Sequence, residues 1–345
     1  MRRLLLSFSL LLAFTVQAQD EPSKKELKAR SLLEAGKPYK AIALCNDHLA
    51  GSAAEPRFYV LRADGYNRIG EYAKALADAR TARALFPTSV EGLYQLALAE
   101  QGVGHTDSAI VHLQQVLERS PTAEARFQLA LLHQRKHNYA EALKDVDAAD
   151  AMAGPVDKAR SARVRGECQA LLGDTVSARL AYDQALAVAP RDPVIWNSRG
   201  FHLYAAFDKH ALAVQDFDRA IKLNPNYSYA FNNRGWSLYK LGEREKALDN
   251  IALAARKRSS NPYVYRNLGV IKLESGDKPG ACAAFRTALE QGFTDLFGNE
   301  VQELVHANCQ EVAAPVLPSL PPPVQPSNIP SNAPDTAPVK RSNAP

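Results

Sequence analysis

The sequence predicts an all-α fold, a solenoid of about eight helix-turn-helix repeats, and three observations carry that expectation. A small residue recurs at Ala41, Ala75, Ala109, Ala142, Ala178, Ala213, Ala247 and Ala281, at intervals of 34, 34, 33, 36, 35, 34 and 34 residues. A second small series, Ala29, Ala63, Ala97, Ala130, Gly166, Gly200, Gly235 and Gly269, precedes each of these by twelve residues, or thirteen in one case. Aromatic residues make up only 8% of a chain that is 46% hydrophobic, and Ala and Leu dominate its middle, which favours helices over strands.

Each element has a local reason. Two helices of about 12 to 14 residues pack closely only where side chains shrink, so each helix of a hairpin carries Ala or Gly at the crossing. Gly36, Gly70, Gly104, Gly173, Gly242 and Gly276 fall between the helices, where a left-handed residue ends the first one. Pro87, Pro121, Pro190 and Pro225 stop the second helix. Tyr182, Phe217, Ile251 and Phe285 stand four residues beyond the packing Ala and fill the space between layers. Three places depart from the pattern. Cys45 takes the bulky position in the first unit, His137 takes the turn glycine's place in the fourth, and the sixth has one extra residue, expected in the turn between Ala205 and His210. The widest interval spans Ala151 to Pro155, read as a longer loop or a hinge.

These marks resemble the tetratricopeptide repeat family over about residues 24–293. Trp196-Asn-Ser-Arg-Gly200 with Ala213, Phe217, Ala220 and Pro225 carries the resemblance most fully, as does Phe231-Asn-Asn-Arg-Gly235 with Gly242, Ala247 and Ala254. The resemblance implies a right-handed α-solenoid with units near 24–56, 57–89, 90–122, 123–156, 157–191, 192–226, 227–261 and 262–293. It also implies that first helices line a concave surface that grips a protein or peptide. Carried to the best-matched units, the partner-binding residues are Asn197, Phe201, Tyr204, Tyr229, Asn232, Trp236, Tyr239, Tyr263 and Arg266, with Asn233 and Asn267 adding an amide ladder. Aromatic area and amide donors suit an extended peptide or a partner helix. The basic clamp that some family members close on an acidic chain terminus is absent, its positions being held by Asn197, Tyr263 and Asn267.

The ends differ from the middle. Met1-Arg2-Arg3, an apolar run from Leu4 to Val16 and Val16-Gln17-Ala18 have the layout of a secretory signal peptide covering residues 1–18. The run is too short to span a bilayer comfortably, although an uncleaved anchor is the rival reading. Cleavage would remove two arginines and no acid, taking the net charge from +5 to +3. The expected location is the periplasm of a Gram-negative cell, or beyond it. Residues 294–311 are expected to cap the stack, with Val301, Leu304 and Val305 on one stripe of a helix from Glu300 to Cys309. Cys309 shares that stripe and Cys282 faces what stacks next, so the two are either a disulfide or a pair of buried thiols. Residues 312–345 hold ten of the 21 prolines and read as an extended tail. Its Pro-x-x-Pro spacings at Pro315, Pro318, Pro321, Pro323 and Pro326 are either recognition motifs or a plain spacer.

Chemistry is not evident. The small net charge forms no dense basic stripe, which argues against nucleic-acid binding. Four cysteines without a C-x-x-C pair argue against zinc or redox modules. His133 and His137 are four apart but sit at an inter-helix and a turn position. No catalytic motif, metal set or cofactor fingerprint occurs. The expected function is a non-enzymatic scaffold; the alternatives are a tether acting through the tail and, remotely, an accessory to peptide or glycan processing.

Overall fold

The computed structural model describes residues 21–51, 55–154, 157–257 and 261–309, so the expected leader, the tail from 312 and Pro155 of the widest interval lie outside the described residues. The described residues form eight helical hairpins in chain order. They are α1 (Lys24–Glu34) with α2 (Pro38–Leu49), α3 (Pro56–Arg68) with α4 (Tyr72–Leu85), α5 (Val90–Gly102) with α6 (Thr106–Arg119), and α7 (Ala123–Arg135) with α8 (Tyr139–Ala151). There follow α9 (Lys158–Leu171) with α10 (Thr175–Val188), α11 (Pro193–Arg199) with α12 (His210–Leu223), α13 (Ser228–Lys240) with α14 (Arg244–Arg256), and α15 (Tyr263–Glu274) with α16 (Lys278–Glu290). Polar side chains cap several of these helices: Ser23, Ser89, Thr122, Asp157, Asp174, Asp192 and Asp277 each accept a backbone N–H of the first turn.

Both small series are fully buried; Ala29, Ala63, Ala97 and Ala130 face Ala41, Ala75, Ala109 and Ala142 at 0% exposure. From the fifth hairpin on, glycine replaces alanine on the first helix, and a large side chain fills the vacated volume. A Cβ on Gly166 would lie 2.9 Å from Tyr182, on Gly200 2.8 Å from Phe217, on Gly235 2.7 Å from Ile251 and on Gly269 2.4 Å from Phe285. In the first four hairpins, where alanine stands, the facing residues are the smaller or aliphatic Cys45, Ala79, Leu113 and Val146. Volume is therefore traded across each crossing.

The turns are uniform. Each has one left-handed residue, and the next N–H returns to a carbonyl five residues back, as Glu71 does to Tyr66 at 3.0 Å. His137 adopts φ 61° in the fourth hairpin and Asp208 φ 55° in the sixth. The sixth turn thus keeps the standard geometry, and the extra residue is not in it. It is absorbed upstream as a π-helical turn over Gly200–Tyr204, followed by a short 3-10 segment at Ala205–Phe207.

Successive first helices touch one another (α1 with α3, α3 with α5, α7 with α9, α9 with α11, α11 with α13, α13 with α15), while successive second helices make no comparable contact. The stack therefore curves with the first helices inside. Arginines just before the small residue staple the layers. Arg62 reaches Asp78 of its own hairpin and Asn46 of the one before, both at 2.7 Å. Arg199 does the same with Asp216 and Asp183, at 2.7–2.8 and 3.1 Å. Arg234 follows with Asn250 at 2.7 Å and Asp218 at 2.5 Å, and Arg165 clasps only the preceding helix, through Asp147 and Asp150 at 2.8 Å.

The far end is closed by α17 (Phe293–Phe297) and α18 (Glu300–Asn308). Phe293 and Val301 are 0% exposed, and Leu304 and Val305 pack on the same core. Cys282 and Cys309 are joined, with Sγ atoms 2.08 Å and Cα atoms 5.6 Å apart. Cys45 and Cys168 are buried thiols, and burial pushes them up to about 11 and about 12 respectively. Among the described residues, no helix is long and apolar enough to cross a membrane.

Candidate functional site

On the inward face of a first helix, residues at i, i+3/i+4 and i+7 point the same way. In the last three hairpins this places amides between aromatics: Asn197 and Phe201, then Tyr229, Asn232, Asn233 and Trp236, then Tyr263, Arg266 and Asn267.

The amides form one continuous chain. Arg266 donates to Asn267 Oδ1 at 3.0 Å, Asn267 Nδ2 to Asn232 Oδ1 at 3.1 Å, Asn232 Nδ2 to Asn233 Oδ1 at 3.2 Å, and Asn233 Nδ2 to Asn197 Oδ1 at 3.1 Å. A guanidinium has no acceptor, so Arg266 forces every oxygen in the chain to face it and every NH2 to face away. Asn197, at the open end, keeps its whole amide NH2 for donation. Asn232 and Asn267 are buried as the foundation, at 3% and 5% exposure, while Asn197 and Asn233 are half-buried.

Two aromatic groups flank this floor. The Arg266 guanidinium sits 4.8 Å and the Lys240 ammonium 5.2 Å from the Trp236 ring centre, and Tyr239 lies 5.1 Å from it. Burial first, and then the nearby Glu274 carboxylate, push the Tyr239 hydroxyl up to about 12. Tyr263 packs 4.4 Å from Phe297 and 5.1 Å from Phe293. Phe201, Tyr229, Tyr263 and Phe297 all remain substantially exposed, at 46%, 40%, 36% and 45%.

The expected residues are thus unequal in role. The structure brings Asn197, Asn232, Trp236, Tyr239, Tyr263 and Arg266 together, with Tyr229 on the rim and Phe201 at the far end, 4.9 Å edge-on to His202. Tyr204 is different: it packs on the core shared by α9, α10 and α11, with the Arg199 guanidinium 5.5 Å from its ring, because the π turn rotates it off the groove register. Arg266 is also not free for a partner. Its Nε and Nη2 bind Glu300 at the start of α18, the former at 3.1 Å, so the cap helix reaches into the groove.

Nearer the N-terminus the trough is occupied by its own chemistry. Arg30 binds Glu91 at 2.8 Å and Arg57 binds Glu26 at 3.4 Å. In the fifth hairpin the groove positions are Arg163 and Glu167, 5% and 1% exposed. Glu167 is held by Arg163, by the Ser198 hydroxyl and by Gln134 at 2.7 Å, and Ser198 in turn meets Tyr182 at 3.0 Å. These partners outweigh its desolvation and keep the Glu167 carboxylate ionised. This network closes the trough to solvent there. His133 binds Asp145 at 2.8 Å and His137 binds Tyr139 at 2.7 Å, so both histidines serve the packing and the turn. Among the described residues, no three His, Cys, Asp or Glu gather as a metal site.

A curved stack of helical hairpins with an inward trough defines the class: a helical-repeat protein-interaction scaffold. The tetratricopeptide repeat model matches residues 94–155, 199–262 and 232–293. The chain resembles the yeast Tom70 structure with TM-score 0.60 at 16% identity, over 87% of this chain and 67% of that one. It resembles a tetratricopeptide repeat protein from Parabacteroides merdae ATCC 43184 with TM-score 0.57 at 18% identity, over 72% and 97%. It also resembles a chain of the APC/C hetero-tetramer Cut9-Hcn1 with TM-score 0.58 at 15% identity, covering 81% of this chain but only 55% of that one. Over the matched residues the chain carries tetratricopeptide repeats.

Proposed function

We propose that this chain is a non-enzymatic scaffold of the cell envelope that holds an extended peptide in the groove of its last three hairpins. The amide chain running from Arg266 to Asn197 carries this reading. It spans three layers, its half-buried open end at Asn197 offers N–H donors to a peptide's carbonyls, and aromatic rings stand on both sides to take side chains. Export rests on the leader-like first 18 residues; an intact-mass measurement on protein from the native host should find a mature chain beginning at Gln19.

The groove is tested by selecting binders from a displayed random-peptide library and measuring the best one against variants. Trp236→Ala with Tyr239→Ala should weaken it by at least about tenfold, since an aromatic anchor contributes roughly 1.4 kcal/mol or more. Asn197→Ala should weaken it too. Selected peptides that bind all variants equally would remove the site from this groove.

A further inference from the structure

We propose that the chain's own proline-rich segment, Pro315–Pro326, occupies this groove in cis and must be displaced by a partner. The inference rests on the reading that the groove binds peptides, and it adds which peptide chemistry fits.

The floor selects for acceptors. Each ladder oxygen already holds a donor, whereas Asn233 keeps a second N–H and Asn197 keeps both. A ligand rich in carbonyls and poor in N–H suits such a floor, and proline supplies a carbonyl without an N–H. Phe201, Tyr229, Tyr263 and Phe297 keep ring surface exposed, and prolyl rings pack on such surface when the backbone is polyproline II. Charge is matched as well. The groove's Arg266 is paired with Glu300, which leaves Lys240 over Trp236 as a single cation and no basic cluster that would select an anion. Residues 313–334 carry no charged side chain.

Position and length agree. The last described residue, Cys309, is tied to α16 by its disulfide, at the groove's C-terminal end. Helix α18 starts at Glu300, on Arg266, and its nine residues extend about 13 Å. The five residues from 310 to 314, at about 3.1 Å each, give about 16 Å, enough to bring Pro315 back beside Tyr263 and Phe297. Pro315, Pro318 and Pro321 then follow at three-residue steps, the repeat of a polyproline II turn, and present one edge to the rings.

The test compares the full chain with a full chain whose residues 315–326 are replaced by a Gly/Ser run of equal length. A synthetic peptide of residues 313–328 is titrated into each by calorimetry. With a tethered concentration on the order of 1 mM and a Kd of about 100 µM, the native tail should weaken peptide binding about tenfold relative to the replaced one. In a Trp196→Phe background, acrylamide should quench Trp236 more readily when the tail is replaced, at any protein concentration. Equal peptide binding by both chains would overturn cis occupancy while leaving the groove as a peptide site. No binding to either chain would overturn the proline-rich ligand itself, leaving the groove to the selected-peptide assay. Quenching protection that fades on dilution would assign the groove to a second copy's tail and likewise overturn the proposal.

Discussion

Gly269 offers a sharp test of the packing logic that builds the stack. A methyl placed there would stand 2.4 Å from both Phe285 Cδ1 and Cε1 and 2.9 Å from Cζ, far inside contact distance. Phe285 is 0% exposed, so its ring has no room to swing away. Overpacking of this kind costs about 1–3 kcal/mol, while Ala gains about 1 kcal/mol over Gly in a helix interior. The overlap involves the body of the ring rather than its tip, so Gly269→Ala should lose a net ~1–2 kcal/mol. Repeat stacks unfold locally, so the loss is best read as faster hydrogen exchange of the α15 and α16 amides together with a lower urea midpoint. The discriminating measurement is the double variant. Phe285→Leu alone should destabilise by about 1 kcal/mol or more, yet in the Gly269→Ala background it should cost little, giving a coupling of at least ~1 kcal/mol. A neutral or stabilising Gly269→Ala, or strict additivity with Phe285→Leu, would refute the exchange of volume across the crossing.

Three further outcomes follow from the same structure. Cys282→Ser with Cys309→Ser should lower the stability of the C-terminal cap by about 3.5 kcal/mol for a separation of 27 residues, visible as early melting of α17 and α18 by hydrogen exchange; an unchanged profile would remove the bond's role. Arg199→Ala should cost about 2–3 kcal/mol by stranding Asp216, and the deficit should shrink in acid. Burial already holds that carboxyl above its ordinary value, so the native state binds the proton more tightly and gains relative stability as pH falls; a deficit that is constant with pH would contradict this. Desolvation, with repulsion from Arg163, holds His202 below its ordinary 6.5 despite Glu167 nearby. A depressed histidine binds its proton better in the unfolded chain, so stability should be full above about pH 6.5 and decline below it, and His202→Gln should flatten the urea midpoint between pH 7.5 and 5.5.

The period and the small crossings were legible because each follows from a local rule repeated eight times, and the capping stripe because Val301, Leu304 and Val305 share one face of a short helix. The location of the sixth unit's extra residue was not. Counting from Gly200 to Ala213 detects one residue too many, but only backbone hydrogen bonds show that a π turn absorbs it, and that shift is what moves Tyr204 out of the groove. The arginine staples carry a signal of their own in the sequence. Arg62, Arg165, Arg199 and Arg234 each precede the small residue, and Asp78, Asp216 and Asn250 each follow the packing Ala by three. The Arg266–Glu300 pair had none, since it depends on how α18 folds back. The same holds for the burial of Arg163 and Glu167, which occupy positions that elsewhere line an open trough.

Charge placement along the trough sets one stretch of it apart from the rest. In the first hairpins Arg57 pairs with Glu26 of the layer before and Arg30 reaches Glu91 two layers on, and each such pair contributes rigidity rather than a vacant group. In the fifth, Arg163 and Glu167 satisfy each other out of reach of solvent. Beyond them the inward polar groups are neutral amides, which would ordinarily flip and serve as donors or acceptors alike. Arg266 removes that freedom: a donor-only group at one end of a chain of amides fixes the sense of every link. Glu300 in turn holds Arg266 in place, so the docking of the cap helix onto the stack sets the hydrogen-bonding polarity of a surface three layers deep. A ligand lying on that surface meets donors at Asn233 and Asn197, and its own carbonyls must face them. The feature that closes the solenoid is therefore also the one that gives its groove a preference.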